Sequence, residues 1–315
     1  MTTSNSSSPR YLELDAMRGF AVMGILLMNI VGFAMPDMAY FSPAIYGGTE
    51  TPDAIAWALS FIFVDGKMRG LFTLLFGASM MLVIDRAEAT GQNPAKVHYA
   101  RMGWLALFGL LHFFLLWFGD ILFLYASIGC IAFFMTDFKP AKLYRIALLI
   151  YVAGFVVYAG MMGSLLYLEQ QVALPNPSAM QVGQFNDAMK DFKVSAKDTA
   201  DIIALYQSGF LDIARHKLSE STFSPLASIL QNIMETLPFM MIGMGLFKQG
   251  FFTGQWQPIE YRRWGVLLSV IGALLLLPQM IYLWQSGFDL LLMLNANLAW
   301  SMPSRLLMTV GYAAL

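Results

Sequence analysis

Residues 101–136 read RMGWLALFGLLHFFLLWFGDILFLYASIGCIAFFMT. Two apolar runs, 101–118 and 120–136, meet at Gly119-Asp120, and each approaches the ~20 residues with which an α-helix crosses about 30 Å of hydrocarbon. Two such runs with so short a joint predict a helical hairpin in a bilayer. Working outward, further apolar runs lie at about 20–35, 70–85, 143–168, 224–247, 264–285 and 299–315, about eight spans in all. The composition agrees: of 315 residues 58% are hydrophobic and 12% charged, about half the ~25% of a soluble domain, and the mean hydropathy is +0.61. The expected fold class is all-α, a polytopic transmembrane helix bundle.

These numbers also exclude functions. A net charge of −1 supplies no field for nucleic acid. The single cysteine, Cys130, lies inside an apolar run and reads as packing. No G-x-S-x-G, Walker loop, His-x-x-x-His or cysteine pair is present, and no metal is expected. The apolar stretch after the Ser/Thr-rich tail superficially resembles a signal peptide, yet it holds Asn29, follows Asp15 and Arg18 and ends Phe-Ala-Met-Pro without a small-residue cleavage site, so it reads as a retained span.

Lys and Arg fix an orientation. One set of connections carries Arg86, Lys96 and Arg101, then Lys139, Lys142 and Arg145, then Lys248, Arg262 and Arg263, with Arg10 in the tail, whereas 36–52, 118–120 and 286–298 carry none. The positive-inside rule puts the N-terminus in the cytoplasm. Residues 1–13 form a polar tail, 14–168 an N-terminal bundle, 169–222 an extracytoplasmic loop and 223–315 the C-terminal helices. The loop holds the capping pattern Ser195-x-x-Asp198, followed by Ile202, Ile203, Tyr206, Phe210 and Ile213 at helical spacing. This predicts one amphipathic helix, lying on the interface or packed on the loop's own core. The last residues, Val-Gly-Tyr-Ala-Ala-Leu, stop inside an apolar run with no interfacial anchor, so further helices are expected beyond them.

Ionisable groups within spans cost a few kcal/mol each and mark candidate sites. Asp15 and Arg18 are three apart on one helical face and Asn29 follows on the same face; together they line a polar cavity, or else the pair anchors the helix and Asn29 bonds a neighbouring helix. Asp65-Gly66-Lys67-Met68-Arg69-Gly70 breaks an apolar region, 54–85, too long for one upright crossing, which predicts a re-entrant or interfacial helix at 54–64 and then a full span. Lys67 and Arg69 there read as an anion site, against the alternative of a basic anchor. His112 lies about 16 Å beyond Arg101, near mid-membrane, as a proton shuttle or a structural hydrogen-bonder. Asp120 either caps the next helix or reaches back to orient His112 or offset Arg69. Tyr125 joins the substrate-binding set, Glu235 is a membrane acid without an evident partner, and His98 and His216 read as solvated.

The blocks ELDAMRGFAVMGILLMN, FVDGKMRGLFTLLFGASM, GLLHFFLLWFGDILFLYASIG and LPFMMIGMGLFKQGFF, with Arg101 at a helix end, resemble the successive blocks of the YeiB-like bacterial membrane proteins, domain of unknown function 418. The likeness covers nearly the whole chain. That family in turn is similar, in its opening Asp-x-x-Arg-Gly block, to transmembrane acyltransferases. The resemblance implies a multi-pass protein of the bacterial inner membrane. It would move an acyl group from cytoplasmic acyl-CoA to an extracytoplasmic acceptor, a surface glycan or a small molecule, with the bilayer and a second copy of the chain as candidate partners. Arg18, Lys67 and Arg69 would then bind the donor, and His112 with Asp120 would be catalytic. The N-acetyltransferases among those enzymes carry a histidine after the first span; DMAYFSPAIYGGTETPD here has none, so His112 is nominated from its depth. The competing readings are a transporter or flippase of an anionic solute that uses the same charges, and a non-catalytic membrane partner subunit.

Overall fold

A computed structural model describes residues 12–190, 192 and 196–315. Ser195, which opens the expected capping box, and the tail through Arg10 lie outside the described residues. In chain order the helices are α1 (Leu12–Ala34), α2 (Thr51–Phe63), α3 (Lys67–Ala89), α4 (Pro94–Leu115), α5 (Leu122–Ala132), α6 (Pro140–Val172), α7 (Ala179–Met189), α8 (Ala196–Tyr206), α9 (Phe210–Glu220), α10 (Ser224–Lys248), α11 (Pro258–Gln285), α12 (Leu290–Asn295) and α13 (Met302–Ala314), with no strand among the described residues. A π-helical turn, Ala296–Trp300, joins α12 to α13. The all-α membrane bundle read from the sequence is the observed fold.

Glu13–Ala34, Thr51–Ala89, Pro140–Val172, Ser224–Lys248 and Pro258–Gln285 are long and apolar enough to cross a bilayer, as a multi-pass membrane protein requires. The other expected spans fall on α4, on α5 with its 3-10 extension, and on the run from α12 through α13. The break between α2 and α3 is where the charged stretch placed it. Gly66 takes φ 71°, the left-handed region that favours glycine.

The loop departs from expectation. Instead of one amphipathic helix it holds α7, α8 and α9, and the run from Ile202 to Ile213 is cut because the backbone turns extended at Gly209 (φ −75°, ψ 153°) to start α9. His98 is a second correction. Far from solvated, it is fully buried, with Nε2 3.1 Å from the Gly129 carbonyl and its ring stacked on Phe133 at 5.0 Å. The short α4–α5 hairpin presses that face of α4 onto α5, which sequence position alone could not convey. His216 is exposed, as read.

The bundle centres on α3 against α10. A Cβ at Gly77 would fall on the Met240 carbonyl, and one at Gly243 on the Leu74 carbonyl, so these glycines let the two backbones touch. Met80, Met81, Met240, Met241, Met244 and Tyr125 pack around that contact. On the other side of α3, Leu14 and Ala21 of α1 meet Leu71, Leu74, Leu75 and Ala78. Helices α1, α6 and α11 keep rows of exposed apolar residues such as Met23, Leu149 and Leu274, the surface a hydrocarbon solvent demands.

Gly243→Leu is therefore expected to abolish a monodisperse size-exclusion peak in mild detergent. Gly160→Leu, at a glycine with open space around it, should elute like the parent; equal behaviour of the two would contradict the packing.

Candidate functional site

The α2–α3 break and the π turn before α13 converge on one carboxylate. Arg69, in the first turn of α3, donates to Glu235 Oε2 at 2.8 Å and to Asn232 Oδ1 at 2.8 Å, both on α10. Arg305, on α13, donates from Nη1 to both Glu235 oxygens at 2.7 and 2.9 Å, and from Nη2 to Ser301 Oγ at 2.7 Å and the Asn297 carbonyl. Asn297 lies in the π turn, a register shift often found at functional sites. Gly66 is obligatory for a second reason here, since a side chain on it would collide with that of Arg305. Glu235 thus has two guanidinium partners from opposite sides. Arg305, which sequence reasoning missed, is its most buried one, with a side chain 7% exposed against 31% for Arg69. The signal was available: an acid in one span calls for a cation in another, and Arg305 is the cation inside the last apolar run.

Both cations of the expected anion site have partners within the chain. Glu235 supplies the anion for Arg69, and Lys67, 1% exposed, donates to the Phe61 carbonyl with its ammonium 5.5 Å from the Phe61 ring. Tyr125 is likewise enclosed. Its hydroxyl lies 2.5 Å from Thr73 Oγ1 and donates to the Arg69 carbonyl at 3.3 Å, tying α5 to the start of α3.

His112 and Asp120 do meet. His112 Nδ1 is 3.1 Å from Asp120 Oδ1, while Asp120 Oδ2 accepts from the Phe123 backbone N–H at 2.9 Å. The carboxylate therefore bonds the first turn of α5 and contacts the imidazole at once, whereas the charge on Arg69 is met by Glu235. Its side chain is 3% exposed and that of His112 34%, so the ring keeps a reachable edge. His112 lies in the last turn of α4, eleven residues beyond Arg101. There Trp117, whose backbone N–H donates to the His112 carbonyl at 2.9 Å, packs edge-on against Phe33 of α1 at 4.7 Å.

At the other end of α4 lies a pocket of about 250 Å³ lined by Arg18, Arg86 and Arg101. Arg18 pairs with Asp15 at 2.9 Å and donates to Ser79 Oγ. The α3 wall of the pocket runs along one side of the helix through Phe72, Phe76, Ser79, Val83 and Arg86 at successive helical spacings, with Leu82 beside them. Arg101 and His112 are eleven residues apart on one helix, nearly three whole turns, and so share a face at about 16 Å separation. Arg18 and Asn29 stand in the same relation on α1, and Asn29 lies one turn before Phe33. Asn29 does not line the arginine pocket. The cavity foreseen for Asp15, Arg18 and Asn29 is thus an arginine pocket at one end, with Asn29 toward the end that holds His112.

Removing the shared carboxylate by Glu235→Gln leaves two guanidiniums facing each other in an apolar bundle, and breaking a buried pair costs about 3–5 kcal/mol. Thermal unfolding in detergent should show that loss, with Arg305→Gln more damaging than Arg69→Gln because Arg305 is the less exposed; a Glu235→Gln protein that melts with the parent would refute the role.

No protein-family model matches the chain, and no solved structure matches it significantly. Among curated proteins, the chain is 38% identical over 136 residues to the uncharacterized protein YxaH of Bacillus subtilis (strain 168), covering 41% of this chain and 33% of YxaH. It is 36% identical over 116 residues to an uncharacterized 39.9 kDa protein in the amylase 3' region of Bacillus acidopullulyticus, covering 37% of this chain and 31% of that one. With the uncharacterized protein YeiB of Escherichia coli (strain K12) it shares 30% identity over 284 residues, 88% of this chain and 66% of YeiB. The chain thus spans from about a third to about two thirds of these relatives. Similarity of this extent to YeiB, together with helices of membrane-spanning length, identifies the chain as a YeiB-like membrane protein.

Proposed function

We propose that the protein is a transmembrane acyltransferase of the bacterial inner membrane that carries an acyl group from cytoplasmic acyl-CoA to a hydroxyl or amine acceptor on the far side. The observation that carries this reading is the shared face of α4. A cationic pocket with Arg101 occupies one end, and the His112–Asp120 pair, about 16 Å further on, occupies the other. That spacing suits an extended donor whose phosphates rest on guanidiniums and whose thioester lies along the aromatic stripe of α3. In this scheme the arginine end faces the cytoplasm, in keeping with the distribution of Lys and Arg.

The chemistry asks little more of the chain. Asp120 holds the His112 Nδ1 proton and leaves Nε2 as the base. Nε2 takes the proton of the acceptor as its oxygen or nitrogen attacks the thioester carbonyl, and passes it to the departing thiolate, so that ester or amide and free thiol are formed. Asn29 is the candidate donor to the carbonyl oxygen as charge develops there. Arg69 and Lys67 have no direct part. They hold the broken-helix region together.

A second reading, transport of an anionic solute, draws on a different observation: the α2–α3 break and the π turn before α13 meet at Arg305, and paired helix discontinuities around charged groups are how many transporters build their sites.

Acetyl-CoA binding to the purified protein in nanodiscs separates the two. Saturable binding weakened at least about tenfold by Arg86→Ala and by Arg101→Ala, with His112→Ala binding normally but releasing no thiol in the presence of a membrane extract, is the expected result. A fully active His112→Ala protein removes the catalytic assignment. An intact sample that ignores acetyl-CoA yet moves an anion across proteoliposomes establishes transport instead.

A further inference from the structure

A second cavity, of about 330 Å³, lies between the later half of α1, the connection from Met35 to Gly48, and α2, and reaches Met293 of α12 and Asn297 of the π turn. It touches none of Arg18, Arg101, His112 or Asp120, and no part of the proposed acyl transfer uses it. Its two parts differ in chemistry. Leu27, Met28, Ile30 and Val31 of α1 form an apolar wall. Leu27 and Ile30 are also 59% and 54% exposed on the lipid-facing side of that helix, so the wall is continuous with the hydrocarbon. The opposite side carries Trp57, Tyr40 and Tyr46 with two carboxylates, Asp53 and Asp65.

The charges of this lining are both negative. Three cations stand behind it, and their donors are engaged elsewhere: Lys67 on the Phe61 carbonyl, and Arg69 and Arg305 chiefly on Glu235. Asp65, half-buried in the break between α2 and α3, feels the charges of Lys67 and Arg305 but has no hydrogen bond to its side chain and no ion pair within 4.0 Å among the described residues. A ligand that fills the cavity takes water away from this carboxylate, and a cation on that ligand offsets the loss. Aromatic faces beside it favour a soft cation over a strongly hydrated one.

We propose that this cavity binds an amphiphile bearing an ammonium group, with the alkyl chain along Leu27 and Ile30 and the head between Asp65 and the Trp57 ring. The ligand enters sideways from the bilayer, because the apolar wall faces it. An anionic head would meet two carboxylates at the lining, and a purely apolar molecule would leave Asp65 desolvated and unpaired. The ammonium belongs either to a single-chain amine or to the head of a bilayer phospholipid.

The test uses the protein in dodecyl maltoside, whose head is uncharged, with radiolabelled decyltrimethylammonium as probe and bead-coupled protein to read saturable binding. Unlabelled probe should displace the label at least about tenfold more effectively than decanol or decyl sulfate. Asp65→Asn should weaken probe binding by a similar factor and abolish the preference over decanol. Displacement by a short-chain phosphatidylethanolamine assigns the ammonium to a phospholipid head, and failure of that lipid to compete assigns it to a single-chain amine. Decanol or decyl sulfate competing as well as the probe in the unmutated protein overturns the proposal, and that comparison stands even where Asp65→Asn fails to fold. A photoreactive decyl analogue should crosslink to α1 between Leu27 and Met35; labelling elsewhere overturns the location.

Discussion

The carboxylate of Glu235 is the constraint around which the bundle is arranged. An apolar solvent offers a buried guanidinium nothing, so two of them in neighbouring helices require an anion supplied by the chain itself. Glu235 serves Arg69 on α3 and Arg305 on α13 together, and both helices are thereby pinned to α10. The irregular backbone nearby follows from this. Gly66 clears space for the Arg305 side chain, and the π turn offers the Asn297 carbonyl to the same guanidinium. Non-helical backbone at membrane depth is tolerated where protein surrounds it, and here the ionic cluster is what surrounds it.

From that fixed centre the other features separate by helix. Tyr125 and Thr73 attach α5 to the Arg69 carbonyl, and this sets the rotation of the α4–α5 hairpin. With the hairpin set, Asp120 reaches both His112 and the first turn of α5, and the arginine side of α4 turns toward α1 and α3. The arginine pocket and the His112–Asp120 pair thus stand at two levels of one α4 face, positioned by a cluster that lies apart from both.

Much of this was legible in the chain. Hydrophobic run lengths predicted each long helix, because in hydrocarbon a backbone has no other way to satisfy its hydrogen bonds. The charged Asp65–Gly70 stretch marked the helix break, since a charged, glycine-flanked segment resists burial as a regular span. The eight-residue separation of His112 and Asp120 across a tight turn was enough to suggest their contact, which depends only on local geometry. Other features were illegible for a common reason. Lys67 and Arg69 looked like an anion site because their partners, the Phe61 carbonyl and Glu235, are decided by how helices stack. His98 looked solvated because nothing local reveals that α5 covers it.

What the sequence determined by itself was the class of the molecule, an all-α protein of the membrane, and the places where polar groups interrupt it, since both follow from the cost of moving polar atoms out of water. What only the tertiary structure decided was which charges neutralise one another. Arg305 and Glu235 are seventy residues apart, and Arg18, Arg86 and Arg101 come from three different helices. Pairings of that kind arise from helix rotation and from the close backbone approach that Gly77 and Gly243 permit. Hydrophobicity places the helices in the bilayer but, with lipid tails as apolar as the helix faces, does not pair them; the glycine contacts and the ionic cluster make that choice.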